Sequence, residues 1–292
     1  MMSCCASCGT AEGDDIQLKT CTACKSVRYC SITCQRNHRP KHKRACKKRA
    51  AELRDEILFA QPESSNFGDC PICCLPLPLD RGKSGYHPCC SKIVCLGCVA
   101  ANYERMERER RGLTCPFCRD AVHEGDRNQK MMKRIQANDP NAMCEVGEEC
   151  DEQGNYVEAF RHFSKAAELG DADAHFYLSV VYRGGKGVKM DKKKEIYHLE
   201  EAAIKGHNDA RRNLAYYEER KGNIERSVRH LIIAAKLGDD VSISTLKKFY
   251  ADGDVSKESF AAALRAYQAV VNATKSSQRD VAEQHVRIMQ RK

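Results

Sequence analysis

Pairs of cysteines with two residues between them recur in the first part of this chain: Cys5 and Cys8, Cys21 and Cys24, Cys70 and Cys73, Cys95 and Cys98, Cys115 and Cys118. A C-x-x-C turn aims both sulfurs at one point, which suits a soft tetrahedral cation. Cys30 and Cys34, like His42 and Cys46, stand four apart, one helical turn on one face. Up to Cys46 there are thus four pairs and eight ligands, enough for two closed zinc sites. A closed site leaves no position for water or substrate, so its chemistry is structural.

Disulfides are the competing use of the 19 cysteines, of which all but Cys144 and Cys150 lie at or before Cys118. They need an oxidising compartment. The first residues, MMSCCASCGTAEGDD, hold no apolar core of a secretory leader, and no apolar run approaches the ~18 residues of a membrane span. Zinc is therefore the expected partner, two ions per module and four in total. The expected location is cytoplasmic and/or nuclear, with no membrane association. Modules of about 40–50 residues bury too little apolar surface to fold unaided, which gives the metal a structural reason to be there.

From Cys70 to Cys118 three C-x-x-C pairs supply six ligands, and HPCC at His87 to Cys90 must supply the rest. Cys89 and Cys90 are the first choice; His87 in place of Cys89 is the alternative, because adjacent cysteines on one metal need an unusual turn. Cys4 and Cys74 are left over, Cys74 reading as a small apolar residue. His38 reads as a surface residue rather than a ligand.

The elements around these ligands divide the chain into stretches. Residues 1–60 form a first cysteine module with a C-terminal helix, in which Leu53, Ile57 and Phe59 or Ala60 share a face. Pro62 and its polar neighbours make 61–69 a linker. The second module spans 70–120 and contains a helix from Val99 to Arg111, ended by Gly112. A connecting helix is expected within 121–138. Beyond it, AAELGD, AAIKGH and AAKLGD place Gly170, Gly206 and Gly238 at intervals of 36 and 32 residues, with Ala142, Ala174, Ala210 and Ser242 recurring in phase. Such a period means a solenoid of helix pairs over 139–273, each glycine closing a helix and each unit burying its apolar face against the next. The unit from Asp240 to about Val271 is degenerate and reads as a cap, and 274–292 as a final helix or tail.

Three resemblances follow. YCSITCQ at Tyr29 to Gln35 and HKRAC at His42 to Cys46, with the earlier pairs, resemble the MYND zinc finger. The resemblance implies interleaved sites: Cys5, Cys8, Cys30 and Cys34 on one ion, and Cys21, Cys24, His42 and Cys46 on the other. It also implies binding of proline-containing peptides by a glutamine and a tryptophan. Gln35 is in place, but Arg39 stands at the tryptophan position, which removes the flat surface for a proline. CPIC, IVCLGC and CPFCR resemble a RING finger of an all-cysteine kind, with Lys92 where the usual histidine would be. Cross-brace order then implies Cys70, Cys73, Cys95 and Cys98 on one ion, and Cys89, Cys90, Cys115 and Cys118 on the other. Ile72 and Pro116 occupy positions that contact a ubiquitin-conjugating enzyme, and Arg119 the position that clamps ubiquitin. Tyr103 is a weak substitute for the family's aromatic. The segment from Asp139, above all Tyr182 through Asp191 with its Y-x-x-G-x-G-V-x-x-D loop in slightly altered form, resembles Sel1-like repeats, relatives of the tetratricopeptide family. The implied architecture is two small zinc-stabilised cross-brace modules, MYND and RING-like, followed by an all-α helical-repeat solenoid.

The net charge of +9 is local, because RNHRPKHKRACKKR from Arg36 to Arg49 carries no acidic residue. A solvated helix face explains it; nucleic-acid binding is the competing reading. No phosphate loop or nucleophile motif is present in the sequence, and His162, His175 and His198 read as packing or surface residues. The RING resemblance implies a ubiquitin ligase that acts by positioning a charged conjugating enzyme without a covalent intermediate, with substrate held by the repeats. A non-enzymatic scaffold is the alternative.

Overall fold

The computed structural model describes residues 4–123 and 125–289, with side chains to residue 284. It divides into two compact units, Met1–Ala60 and Gln61–Lys292.

In the first unit a two-residue antiparallel ribbon, β1 (Lys19–Thr20) and β2 (Arg28–Tyr29), leads into α1 (Ile32–Leu58). Ser31 caps α1, its hydroxyl accepting from the Cys34 N–H at 3.1 Å. The helix therefore begins after Cys30, so the Cys30–Cys34 pair meets across the cap rather than along a helical face. Pro40 lies inside α1, which nonetheless runs on past the metal-ligand region. The expected apolar face is displaced by one residue: Leu58 is 1% exposed whereas Ile57 is 53% exposed. Besides Cys5, Cys21 and Cys24, the buried cluster of this unit contains Leu18 and Tyr29. That is too little apolar surface to hold a fold by itself.

The second unit opens with a 3-10 turn (Arg81–Lys83) and a hairpin of β3 (Ser84–His87) and β4 (Lys92–Cys95), followed by α2 (Leu96–Arg108). The helix expected from Val99 starts earlier, inside the Cys95-x-x-Cys98 knuckle, and ends before Arg110, whose φ is +51°. The connecting helix is α3 (Asp126–Gln136). Four helix pairs follow: α4 (Pro140–Glu152) with α5 (Tyr156–Glu168), α6 (Ala172–Gly184) with α7 (Lys192–Ile204), α8 (Asn208–Arg220) with α9 (Ile224–Lys236), and α10 (Asp240–Ala251) with α11 (Lys257–Ala273). The chain closes with α12 (Ser277–Met289). The expected tail is thus largely helical, its last three residues lying outside the described ones.

The repeated phrase does two jobs at each junction. Gly170, at φ +90°, donates to Ala167 O at 2.9 Å while Asp171 donates to Ala166 O at 3.1 Å, a paired closure of the helix end. The next residue then starts the following helix: the Asp171 carboxylate accepts from Ala174 N–H at 2.7 Å, and Asp139, His207 and Asp239 cap α4, α8 and α10 in the same way. The in-phase residues Ala142, Ala174, Ala210 and Ser242 are fully buried where helices cross. In the first pair Phe163 sits so close to Gly147 that a Cβ there would lie 2.6 Å from its ring.

Residues 61–69 are irregular, as expected of a linker, but they are not a free tether. Asn66 N–H donates to Gly206 O at 3.3 Å and its amide to Asp173 at 2.5 Å. Arg81 reaches Glu148 at 2.9 Å and Asp173 at 2.5 Å. The stretch before and inside the second cysteine module is thereby pinned to the first two helix pairs.

Candidate metal centres

Four C-x-x-C knuckles are built on one local plan. In the first, Cys5 O accepts from Gly9 N–H at 2.9 Å and Cys5 N–H donates to Thr10 O at 2.8 Å. The same pattern joins Cys21 O to Lys25 N–H, Cys70 O to Cys74 N–H and Cys115 O to Arg119 N–H, at 2.9 to 3.0 Å. The residue after the second cysteine takes a positive φ each time: Gly9 +77°, Lys25 +55°, Cys74 +55° and Arg119 +61°. This position is a turn residue, and it corrects the reading of Cys74, which is exposed and serves the turn's backbone rather than filling apolar space.

These turns, the start of α1 and the hairpin bring sixteen ligand atoms into four groups: Cys5, Cys8, Cys30, Cys34; Cys21, Cys24, His42, Cys46; Cys70, Cys73, Cys95, Cys98; and Cys89, Cys90, Cys115, Cys118. Within each group the donor atoms lie within 4.8 Å of one another. Sulfurs on a tetrahedral zinc, each about 2.3 Å from the metal, stand about 3.8 Å apart. The separations here are 3.6 Å for Cys8–Cys30 and Cys30–Cys34, 3.8 Å for Cys21–Cys46, Cys73–Cys95 and Cys90–Cys115, and 3.4 Å for Cys89–Cys118. Cys24 Sγ lies 3.3 Å from His42 Nε2. The donor sets fit zinc.

Their electrostatics call for a cation. Hydrogen bonding from the backbone of Cys30, then Cys8, holds the Cys5 thiol down to about 6, while the bond with Cys34 pushes Cys30 up to about 12. The Cys24 backbone lowers Cys21 to about 6, and burial raises Cys46 to about 11. In the third set the Cys95–Cys70 hydrogen bond takes Cys70 down to about 4 and drives Cys95 up. In the fourth, backbone groups of Cys118 and Phe117 lower Cys115 against the effect of burial, and burial raises Cys89 and Cys90. In each set at least one thiol is lowered while a neighbour is raised. A dication removes that conflict and lets the remaining thiols ionise.

Cys89 and Cys90 fit in one set because they lie in the turn between β3 and β4. Ser91, at φ +57°, donates its N–H to His87 O at 2.8 Å, and its hydroxyl bonds Tyr86 OH at 3.1 Å. His87 lies outside the set, its Nε2 buried and unpartnered. His38, also outside, is not merely a surface residue: it stacks on His42 at 5.6 Å and bonds Tyr29 OH at 3.1 Å, fixing the ligand's ring between neighbours.

Of the residues proposed for contacts beyond the metal, Ile72 is 41% exposed at the tip of its knuckle. Pro116 is half-buried, and Arg119 is exposed. Phe117, also 41% exposed, and the backbone-paired Leu113 and Val122 leave further apolar surface on the last knuckle. Nothing in the spacing of the sequence singled these three out. Gln35, Arg39 and Pro40 are exposed on α1, and Tyr103 on α2.

Residues 5–46 match the MYND finger, and residues 140–171, 172–207 and 208–239 match the Sel1 repeat. The chain thus carries a MYND finger followed by three Sel1 repeats. Among solved structures, a Sel1 repeat protein from Oxalobacter formigenes is 24% identical over 61% of this chain and 72% of its own, with a TM-score of 0.44. A protective antigen of uropathogenic Escherichia coli strains displaying an SLR fold is 19% identical over 56% of this chain and 37% of its own, with a TM-score of 0.39. No curated protein matches the chain. Among the described residues, no helix is long and apolar enough to cross a membrane.

Proposed function

We propose that this protein is a zinc-dependent adaptor in which four structural ions shape two interaction fingers and the second finger, of RING type, promotes ubiquitin transfer to proteins held by the Sel1 repeats. The observation that carries the second half is the surface of the second module. Ile72 and Phe117 are exposed at the two knuckle tips and Arg119 follows the last ligand. Exposed apolar side chains beside a cation suit docking of a conjugating enzyme and steadying of its ubiquitin, catalysis by positioning alone. A cytoplasmic or nuclear site of action belongs to the same reading.

The test is autoubiquitination by the full chain against a panel of conjugating enzymes. Chains should form with at least one, and fall at least tenfold in Ile72→Ala and in Arg119→Ala while four zinc ions stay bound by native mass spectrometry. A zinc-loaded chain that is silent across the panel overturns the ligase reading.

A second reading is a scaffold without transfer activity, in which both fingers and the repeats bind proteins. It expects partner complexes that survive both substitutions. A nucleic-acid role for Arg36 to Arg49 finds less support, because Arg49 is already paired to Glu52 and Glu56. It would show as steeply salt-dependent binding.

A further inference from the structure

The last helix of the chain reaches back to a metal site laid down two hundred residues earlier. Arg279, in the first turn of α12, is 5% exposed. Its Nη1 donates to Pro76 O at 2.7 Å and Thr274 O at 2.8 Å; its Nη2 donates to Leu75 O at 3.2 Å and to the sulfur of Cys73 at 3.4 Å. Leu75 and Pro76 directly follow the first knuckle, and Leu75 O is the acceptor that shapes it through Cys70 N–H. The backbone of α12 comes as close as the side chain. A Cβ on Gly97, the residue between ligands Cys95 and Cys98, would meet Arg279 N and Cγ at 3.0 Å. Ala282 is buried one turn on, and Glu283 pairs with Lys83 at 2.9 Å.

Charge explains why an arginine should sit there. Four thiolates around a dication leave two net negative charges, and Cys70, Cys95 and Cys98 are buried. Excess charge buried without a counterion is costly, and so is a buried guanidinium without an anion. Each meets the other's need. At the neighbouring set the arrangement differs: Arg134 donates to the Cys89 carbonyl oxygen rather than to a sulfur.

We infer that Arg279 is the counter-cation of the Cys70, Cys73, Cys95 and Cys98 site, and that zinc binding there and docking of α12 onto α2 are one linked equilibrium. The inference rests on zinc occupying the second module, as proposed above. By linkage, whatever the arginine adds to zinc affinity, zinc adds to the docking of α12. Partners that support metal ligands from outside are worth about 10–100-fold in metal affinity.

The experiment uses the full chain loaded with zinc. Release of ions to a metallochromic chelator is followed for wild type, Arg279→Lys and Arg279→Gln, with amide exchange of residues 277–284 read in parallel. Lysine keeps the charge; glutamine keeps donors for the carbonyl oxygens without it. One of the four ions should dissociate about 10–100-fold faster in Arg279→Gln and less so in Arg279→Lys, and α12 should lose protection in the order Gln, then Lys, then wild type. The cobalt-substituted protein should show a shifted thiolate-to-metal charge-transfer band in Arg279→Gln. Equal release in both variants and wild type, or glutamine outperforming lysine, overturns the inference. A wild-type chain that binds two ions instead of four overturns the reading beneath it, and the inference falls with it.

Discussion

The two cysteine modules share a knuckle but not a support. The first keeps its eight ligands in a unit whose buried residues beyond cysteine, among the described residues, are Leu18, Tyr29 and, at the far end of α1, Leu58. The second adds Leu77 and Val94, with Phe67, Ile93 and Val99 packed around them, and is tied to helices on several sides. Arg81 binds it to α4 and α6, Lys130 of α3 reaches Ala121 O at 2.7 Å, Arg134 reaches Cys89 O, and Arg279 reaches the first knuckle. Identical local chemistry thus operates in two regimes. In one the metal replaces the core; in the other it completes one.

The largest expected consequence is a difference in what chelation does. A structural zinc contributes about 10–16 kcal/mol of apparent binding free energy, more than a module of this size gains from its own apolar burial. Stripping zinc should therefore unfold residues 4–34 as the ions leave, exposing their amides to full exchange. The second module should lose its ions later and keep partial protection at β3, β4 and α2. The repeats from α4 to α11 should keep theirs throughout. Loss of both modules at one chelator concentration would erase the distinction. Amide exchange followed by mass spectrometry reads all three regions in one experiment.

A second prediction approaches the contrast from the solenoid. Phe163 is among the largest fully buried side chains and packs against Gly147 and, stacked at 4.9 Å, Tyr177. Phe163→Ala should cost about 3–5 kcal/mol. Its effect should fall on the repeats and on the segment that Arg81 pins to them, with the zinc content of the first module unchanged. Denaturant unfolding of the zinc-loaded variant, with metal counted before and after, checks it. A variant that sheds the first module's ions would show the two regions to be less independent than their cores imply.

How much of this was legible in the sequence follows the same division. Ligand spacing is local information, because a C-x-x-C pair brings its two sulfurs together in a knuckle turn or, as at Cys95 and Cys98, at a helix start, and the four groups gather the residues that spacing and resemblance had named. The repeat period was legible because Gly170, Gly206 and Gly238 each close a helix by the same bonds. What stayed hidden depends on residues far apart in the chain. Arg279 and Cys73, Arg81 and Asp173, and Asn66 and Gly206 share no local pattern, and a lone arginine in a polar tail looks like solvent-facing charge. Other misses were local: the capping role of Asp171 and His207 sits in the phrase that marked the repeat, and Gly9 after Cys8 already signalled the positive φ that recurs at Cys74 and Arg119.

That recurring turn position supports the smallest prediction, and the one that separates backbone from side chain at Arg119. A non-glycine residue in the left-handed region carries about 1–2 kcal/mol of strain, which glycine escapes at some cost in unfolded-state entropy. Arg119→Gly should stabilise the second module by up to about 1 kcal/mol, and Arg119→Ala should leave it nearly unchanged. Thermal unfolding of the zinc-loaded chain measures both. The proposed transfer activity should respond differently, because it needs the guanidinium rather than the turn: both variants should lose it equally. If Arg119→Gly retains activity that Arg119→Ala lacks, the residue matters for the shape of the knuckle alone. Transfer would then go on without the guanidinium, and the ubiquitin would be steadied by groups of the second module other than Arg119.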